Sequence, residues 1–338
     1  MLEYIRSSAA DFDISVRALS IRLTKPAAVD RTYSYVNGPP HGPTWFRKIF
    51  YGANLLRALK KEVGAGARVV HLLWVGFPVL TPFIIKRLRR AGINTLVTVL
   101  NRHTPPERYQ HANLVIVQSD ETLATYKHAG YPLSNLELIA PPVDLERFRP
   151  SDTPAEPFFV MASGPRTAAQ IRERGILLLF EAFEELARRG SPARLCFFGR
   201  WRQGKHLLEE IRSRFPSANI TMRHDYSPEL PRLIARSSGV IIPYTSNRIG
   251  EIPMSALEAM ACGRAVIATE GIGLNEYLVD QDAGIQIRPD PTSLANAVER
   301  VLENPDLWRS SGLEAVKNLD AKGFGQRMCS IYSALLEN

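Results

Sequence analysis

Short apolar runs rich in Val, Ile and Leu alternate with stretches of helical periodicity along the whole of this chain. Such runs suit strands covered by helices on both faces, so the pattern calls for an α/β fold with mostly parallel sheets. In the first half, strands are expected at Ile14–Leu19, Val69–Leu73, Thr95–Val99, Leu114–Gln118 and Leu136–Ile139, and helices at Leu2–Ala10 and Thr122–Ala129. A polar, proline-bearing stretch, Arg149–Pro157, then marks a domain boundary. Beyond it, strands are expected at Phe158–Ala162, Arg194–Gly199, Asn219–Met222, Val240–Pro243, Ala265–Ala268 and Gly284–Ile287. The helices between them fall at Gly175–Gly190, His206–Phe215, Ser255–Cys262 and Pro291–Glu303. With 338 residues there is room for about two domains of ordinary size. Two tandem α/β domains are expected to hold a ligand in the cleft between them, beyond the carboxyl ends of the strands.

Charge is unevenly placed. Residues 1–150 hold 20 Lys and Arg against 11 Asp and Glu, while residues 151–338 hold 22 against 23, so the formal excess of +8 lies wholly in the first half. Trp45–Lys61 and Phe77–Arg90 concentrate it beside apolar and aromatic residues, and both read as amphipathic helices with basic ends. Such helices either lay their apolar face on their own sheet with the cations in water, or dock on an anionic membrane or a phosphate-bearing acceptor. The charge comes without an RNA-binding pattern of interleaved aromatics, so nucleic acid is not an expected partner. No apolar run approaches the roughly 20 residues that span a bilayer, and an N-terminus carrying acids where a signal peptide is apolar points to a cytoplasmic protein. Cys196, Cys262 and Cys329 are odd in number and far apart, which suits neither a disulfide framework nor a metal site; all three are expected to be buried small hydrophobes. The triplets Asp11-Phe12-Asp13 and Asp280-Gln281-Asp282 lack the strand-and-loop setting of a metal motif, and no metal is expected.

The most specific pattern runs from Tyr244 to Thr269. A strand closes on Pro243, the loop Gly250–Pro253 follows, and Glu258-Ala259-Met260-Ala261-Cys262-Gly263 leads to the strand Ala265–Ala268. Taken in order, these elements resemble the donor-binding signature of retaining glycosyltransferases with the two-domain GT-B fold, notably glycosyltransferase family four. The resemblance covers residues 110–338 well and the rest loosely. It implies two Rossmann-like domains facing a cleft: an acceptor-side domain at 1–148, a nucleotide-sugar donor domain at 149–322, and a last helix, 323–338, packing back on the first. Relative to that family the opening strand and glycine loop are expected to be missing, because Leu2–Ala10 already reads as the helix that would follow them.

The resemblance also implies roles. Ile252 and Pro253 lead into a helix whose N-terminus, at Met254 and Ser255, offers N–H groups to phosphate or sugar oxygens. Glu258, one turn in, is placed to accept hydrogen bonds from the donor ribose. The family sets a second glutamate eight positions earlier; here that position is Gly250, and Glu251 beside it is expected to meet the donor sugar. Ser163-Gly164-Pro165-Arg166 and Glu173-Arg174-Gly175 resemble the loop and helix start that bind the donor diphosphate, with Arg166 and Arg174 as the cations that stabilise the leaving group. His103 resembles the family's histidine near the donor sugar, set two places along by Asn101 and Arg102, whereas His71 reads as structural. The implied activity is transfer of a sugar from a nucleotide diphosphate sugar, with retention and without metal or other cofactor. The acceptor would be a hydroxyl on a glycan, a lipid-linked carrier or a small molecule, and the basic first domain would dock on the inner face of the membrane. The alternatives are a non-catalytic GT-B nucleotide-sugar binder or partner subunit, and a nucleotide-sugar epimerase in which water replaces the acceptor.

Overall fold

The computed structural model describes residues 2–12, 18–22, 33–37, 44–73, 80–100, 104–163, 165, 167–198, 205–223, 228–246 and 252–337. They form two units, one of residues 1–118, 122–139 and 322–338, the other of residues 119–121 and 140–321.

In the first unit, α1 (Leu2–Ala9) precedes a two-stranded parallel sheet of β1 (Ala18–Arg22) and β2 (Tyr33–Asn37), followed by α2 (Thr44–Gly64). β3 (Val69–Leu72), α3 (Leu80–Arg90), β4 (Asn94–Thr98), β5 (Leu114–Val117), α4 (Asp120–His128) and β6 (Leu136–Leu138) then build a four-stranded parallel sheet in chain order. Alternation along the strands decides what each face meets. Leu96 and Ile116 pack with Ile5 and Ala9 of α1, while Val97, Val115 and Val117 pack with Ile85 of α3 and Tyr126 of α4. α2 and α3 share a further cluster of Leu59, Ile84 and Leu88, and they approach closely where a Cβ on Gly52 would meet Leu80 at 2.8 Å. The first strand is found at Ala18–Arg22 in place of the expected Ile14–Leu19, of which residues 14–17 lie outside the described residues; β2 was not expected.

The second unit runs β7 (Glu156–Ala162), α5 (Ala168–Glu173), α6 (Ile176–Arg188), β8 (Arg194–Phe198), α7 (Lys205–Ser213), β9 (Ile220–Arg223), α8 (Leu230–Arg236), β10 (Ser237–Ile242), α9 (Met254–Ala261), β11 (Ala265–Thr269), β12 (Ile285–Ile287), α10 (Pro291–Glu303) and α11 (Arg309–Val316). Its six strands are all parallel in the order β12-β11-β10-β7-β8-β9. Helices cover both faces: Phe159, Met161, Ile241 and Ile267 meet α6 and α10, and Val160, Val240, Val266 and Ala268 meet α8 and α9. β10 is buried at all six positions, and its Gly239 passes so near β11 that a Cβ would lie 2.7 Å from the Ala265 carbonyl oxygen. The order reverses between β7 and β10, which makes the loops at their carboxyl ends the place where an open α/β sheet takes a ligand.

The chain leaves the first unit after Ile139, ahead of the 148/149 division expected from sequence, because Val143 and Phe148 already belong to the second unit's core and Val143 bridges to Asp320. It returns at Lys322 within α12 (Ala321–Glu337), whose Met328, Cys329 and Tyr332 pack in the same cluster as α1. That packing depends on Gly325, where a Cβ would lie 2.4 Å from the Tyr4 carbonyl oxygen and 2.5 Å from Ser8 Oγ. Cys262 and Cys329 are buried; Cys196 is not fully so, a correction to the expectation, since its face of β8 is only partly covered.

Candidate functional site

At the carboxyl end of β7, Thr167 caps α5 by accepting the Gln170 N–H at 3.2 Å, and the helix ends on Arg174, whose N–H reaches the Gln170 carbonyl at 3.0 Å. Gly175 follows with φ 63°, and its backbone runs so close to β10 that a Cβ would sit 1.7 Å from the Pro243 carbonyl oxygen. No other residue fits there. The Arg174 side chain turns back to the start of the loop, where Nη1 donates to Ser163 Oγ at 2.5 Å.

The loop after β10 is tied to the same place. Thr245 donates its N–H to the Glu173 carbonyl at 2.9 Å and its hydroxyl to the Arg172 carbonyl at 2.6 Å. Between Pro243 and Thr245, burial pushes the pKa of the Tyr244 phenol up, and the Arg174 charge and the Ser163 hydroxyl oppose that shift.

α9 supplies the third element. Pro253 stands at its N-cap with φ −64° and ψ 121°, the ring presetting the turn into the helix, and its carbonyl accepts the Ala256 N–H at 2.9 Å. Ala256, Leu257, Ala259, Met260 and Ala261 are core, which leaves Met254, Ser255 and Glu258 on the less buried face. The Glu258 carboxyl is pushed up to about 7 by burial, against the pull of the Arg147 guanidinium. Ile252 is 6% exposed and packs in the hydrophobic cluster, so its side chain is core and only its backbone is free to serve a ligand.

Of the residues singled out from sequence, Arg174 ends α5, Pro253 caps α9, and Met254, Ser255 and Glu258 lie in the first turns of α9. Gly164, Arg166, His103 and Glu251 lie outside the described residues. His71 is engaged at both ring nitrogens, Nδ1 with the Tyr332 hydroxyl and Nε2 with Thr98 Oγ1, each at 2.7 Å, and burial lowers its pKa to about 3. It is a neutral core histidine joining β3, β4 and α12. Sequence reasoning gave no role to Tyr244 or Arg147, whose charged neighbours, Arg174 and Glu258, lie in distant parts of the chain. Among the described residues, no group of three or more His, Cys, Asp or Glu is gathered as metal ligands would be.

Residues 163–304 match the family model described as "Glycosyl transferases group 1". This segment is a group 1 glycosyltransferase domain. The match spans the loops that follow β7 and β10, and α9. Among curated relatives, the D-inositol 3-phosphate glycosyltransferase of Frankia alni is 28% identical, the match covering 96% of this chain and 89% of that one. Among solved structures, sucrose-phosphate synthase from Thermosynechococcus elongatus superposes with a TM-score of 0.77 at 19% identity, over 99% of this chain and 92% of the other. HepE of Anabaena, solved in complex with UDP, gives 0.66 at 14% identity, over 89% and 86%. The fold is GT-B, with two Rossmann-like domains of parallel sheet.

Proposed function

We propose that the chain moves a sugar from a nucleotide diphosphate sugar to an acceptor hydroxyl with retention of anomeric configuration. The observation that carries this reading is the Arg174 guanidinium, fixed at Ser163 where the loop after β7 begins. As the bond from the sugar's anomeric carbon to the diphosphate breaks, negative charge builds on the leaving oxygen, and preorganised cations and helix N–H groups lower the barrier most at that point. Arg174 serves the diphosphate, with Arg166 as its partner. Met254 and Ser255 offer backbone N–H groups to the donor, Glu258 holds the ribose, and Glu251 and His103 attend the sugar. Gly164 lets the loop approach the phosphates. The acceptor oxygen gains the bond that the diphosphate loses and gives up its proton. These cations and N–H groups supply the positive field without a metal. The UDP bound to the structurally similar HepE fits a nucleotide donor.

The acceptor is a hydroxyl on a glycan, a lipid-linked carrier or a small molecule, and the protein works at the inner face of the membrane. The support for that location is α3, where Phe83, 51% exposed, shares one helical face with exposed Lys86, Arg87 and Arg90. In a screen of nucleotide sugars against such acceptors, mass spectrometry is expected to find a new glycoside. Arg174→Ala should lower turnover by about 10²–10³-fold with little change in melting temperature; wild-type turnover in that variant would sink the assignment.

A further inference from the structure

Thr245 has no place in the reading above, yet it fastens the stretch of backbone from which Arg174 projects. The last carbonyls of a helix find no N–H partner within it, and in α5 two of them are met from the loop after β10. The Glu173 carbonyl accepts the Thr245 N–H at 2.9 Å. The Arg172 carbonyl accepts the Gly175 N–H at 2.9 Å and, as a second bond, the Thr245 hydroxyl at 2.6 Å. Thr245 is itself a firm anchor, because the residues before it are held by the sheet and by the helix start it faces. The Tyr244 carbonyl accepts the Thr269 hydroxyl of β11 at 2.5 Å, and Pro243 lies against Gly175, the residue that follows Arg174.

Arg174 is thus held along its whole length. Its backbone is flanked by two carbonyls bound to Thr245 and by a glycine pressed on Pro243, and its guanidinium meets Ser163 Oγ at 2.5 Å. A cation fixed in this way has less freedom to lose when it grips a ligand, which is where preorganisation adds affinity. The guanidinium has five N–H donors, so the one spent on Ser163 leaves others for phosphate oxygens. The two Thr245 bonds also occupy carbonyl oxygens at the negative end of a helix, whose partial charge works against an anion held at the next residue.

We infer that Thr245 is a positioning residue, which by tying down the last turn of α5 sets Arg174 for a nucleoside diphosphate. The inference rests on the proposed role of Arg174 and names a group that acts on it through the backbone. Only its side-chain bond can be removed by substitution, since the Thr245 N–H belongs to the main chain. Thr245→Val removes that bond at nearly constant shape, and Thr245→Ser keeps it.

The test is calorimetric titration of the full chain with UDP, GDP, ADP and dTDP, each beside its own nucleoside. It is run on wild type, Thr245→Val, Thr245→Ser, Arg174→Ala and the double variant Thr245→Val/Arg174→Ala. At least one diphosphate should bind wild type more tightly than its nucleoside does. Thr245→Val should weaken that diphosphate about 5-fold, the worth of one hydrogen bond, and leave the nucleoside unchanged. Thr245→Ser should bind it as wild type does. On the Arg174→Ala background, Thr245→Val should have no further effect. Undiminished diphosphate affinity in Thr245→Val, with Arg174→Ala weakened, overturns the positioning role and leaves the diphosphate reading intact. Equal weakening of nucleoside and diphosphate, a further loss in the double variant, or a Thr245→Ser as weak as Thr245→Val also overturns it. Thr245 is exposed, so the core is untouched by these changes; if Thr245→Val does not fold, Thr245→Ala decides. Unchanged affinity in Arg174→Ala, or a wild type that binds none of the four, overturns the reading on which the inference stands.

Discussion

Arg174 and Glu258 show two ways in which the fold adjusts a single charge. Arg174 gains direction from a hydroxyl at 2.5 Å, whereas Glu258 has its carboxyl pushed up to about 7 by burial. The native state thus holds a proton on Glu258 that the unfolded chain, with a carboxyl near 4.3, has released. The sign follows from linkage: the cost of Glu258 is absent below about pH 4.3, grows between there and about pH 7, and is full above it. Glu258→Gln, which cannot ionise, should therefore raise the melting temperature more at pH 8 than at pH 5, as scanning calorimetry at the two values would show; an equal change at both would contradict it. Loss of nucleotide affinity in the same variant is expected at pH 8, where Glu258 is ionised, because an amide accepts fewer hydrogen bonds from ribose hydroxyls than a carboxylate does. Arg174 and Glu258 were both legible in the sequence, since each sits in a short ordered motif.

At the level of elements, the hydrophobic rhythm was enough to find every strand of the second unit to within a few residues, because parallel strands buried on both faces are apolar throughout. β10 shows where the rhythm stops being informative. It begins at Ser237 and Ser238, polar residues that read as loop, yet both are buried with their hydroxyls satisfied, Ser237 on the Ile234 carbonyl at 2.8 Å and Ser238 on the Glu156 carbonyl at 2.7 Å. Asn275 opens a π-helical turn at Glu276–Asp280 that buries Tyr277 and Leu278. α3 was legible as a basic amphipathic helix, and the structure adds that Ile84, Ile85 and Leu88 face its own sheet while the cations face out. Both readings of such a helix, packed and docked, are thus compatible on opposite faces. If α3 meets an anionic bilayer, each cation near the surface contributes about 1 kcal/mol. Lys86→Gln/Arg87→Gln/Arg90→Gln should then weaken binding to phosphatidylglycerol vesicles by about 100-fold in a flotation assay. Equal flotation of wild type and the triple variant would exclude α3 as the docking face.

Taken as a whole molecule, the chain is divided by its own core contacts. Its first unit needs residues from both ends: α1 opens it, α12 closes it, and Gly325 lets the two helices touch. Gly325→Val should cost about 1–3 kcal/mol by overpacking, read as a lower denaturant midpoint for the first unit; an unchanged midpoint would contradict the contact. The sequence reading set the division at 148/149, ahead of the polar, proline-bearing stretch Arg149–Pro157, whereas the chain enters the second unit after Ile139, because Val143 and Phe148 already pack in the second core. Two units of this kind, with a group 1 glycosyltransferase domain in the second, make the central claim a simple one: Arg174 holds the diphosphate of a nucleotide donor. The most direct measurement is thermal unfolding of wild type and Arg174→Ala against UDP, GDP, ADP and dTDP, since a ligand that binds only the folded state raises the melting temperature. One nucleotide should raise that of wild type by a few degrees and leave Arg174→Ala unmoved. No shift in wild type at millimolar nucleotide, or the same shift in both proteins, would contradict the account.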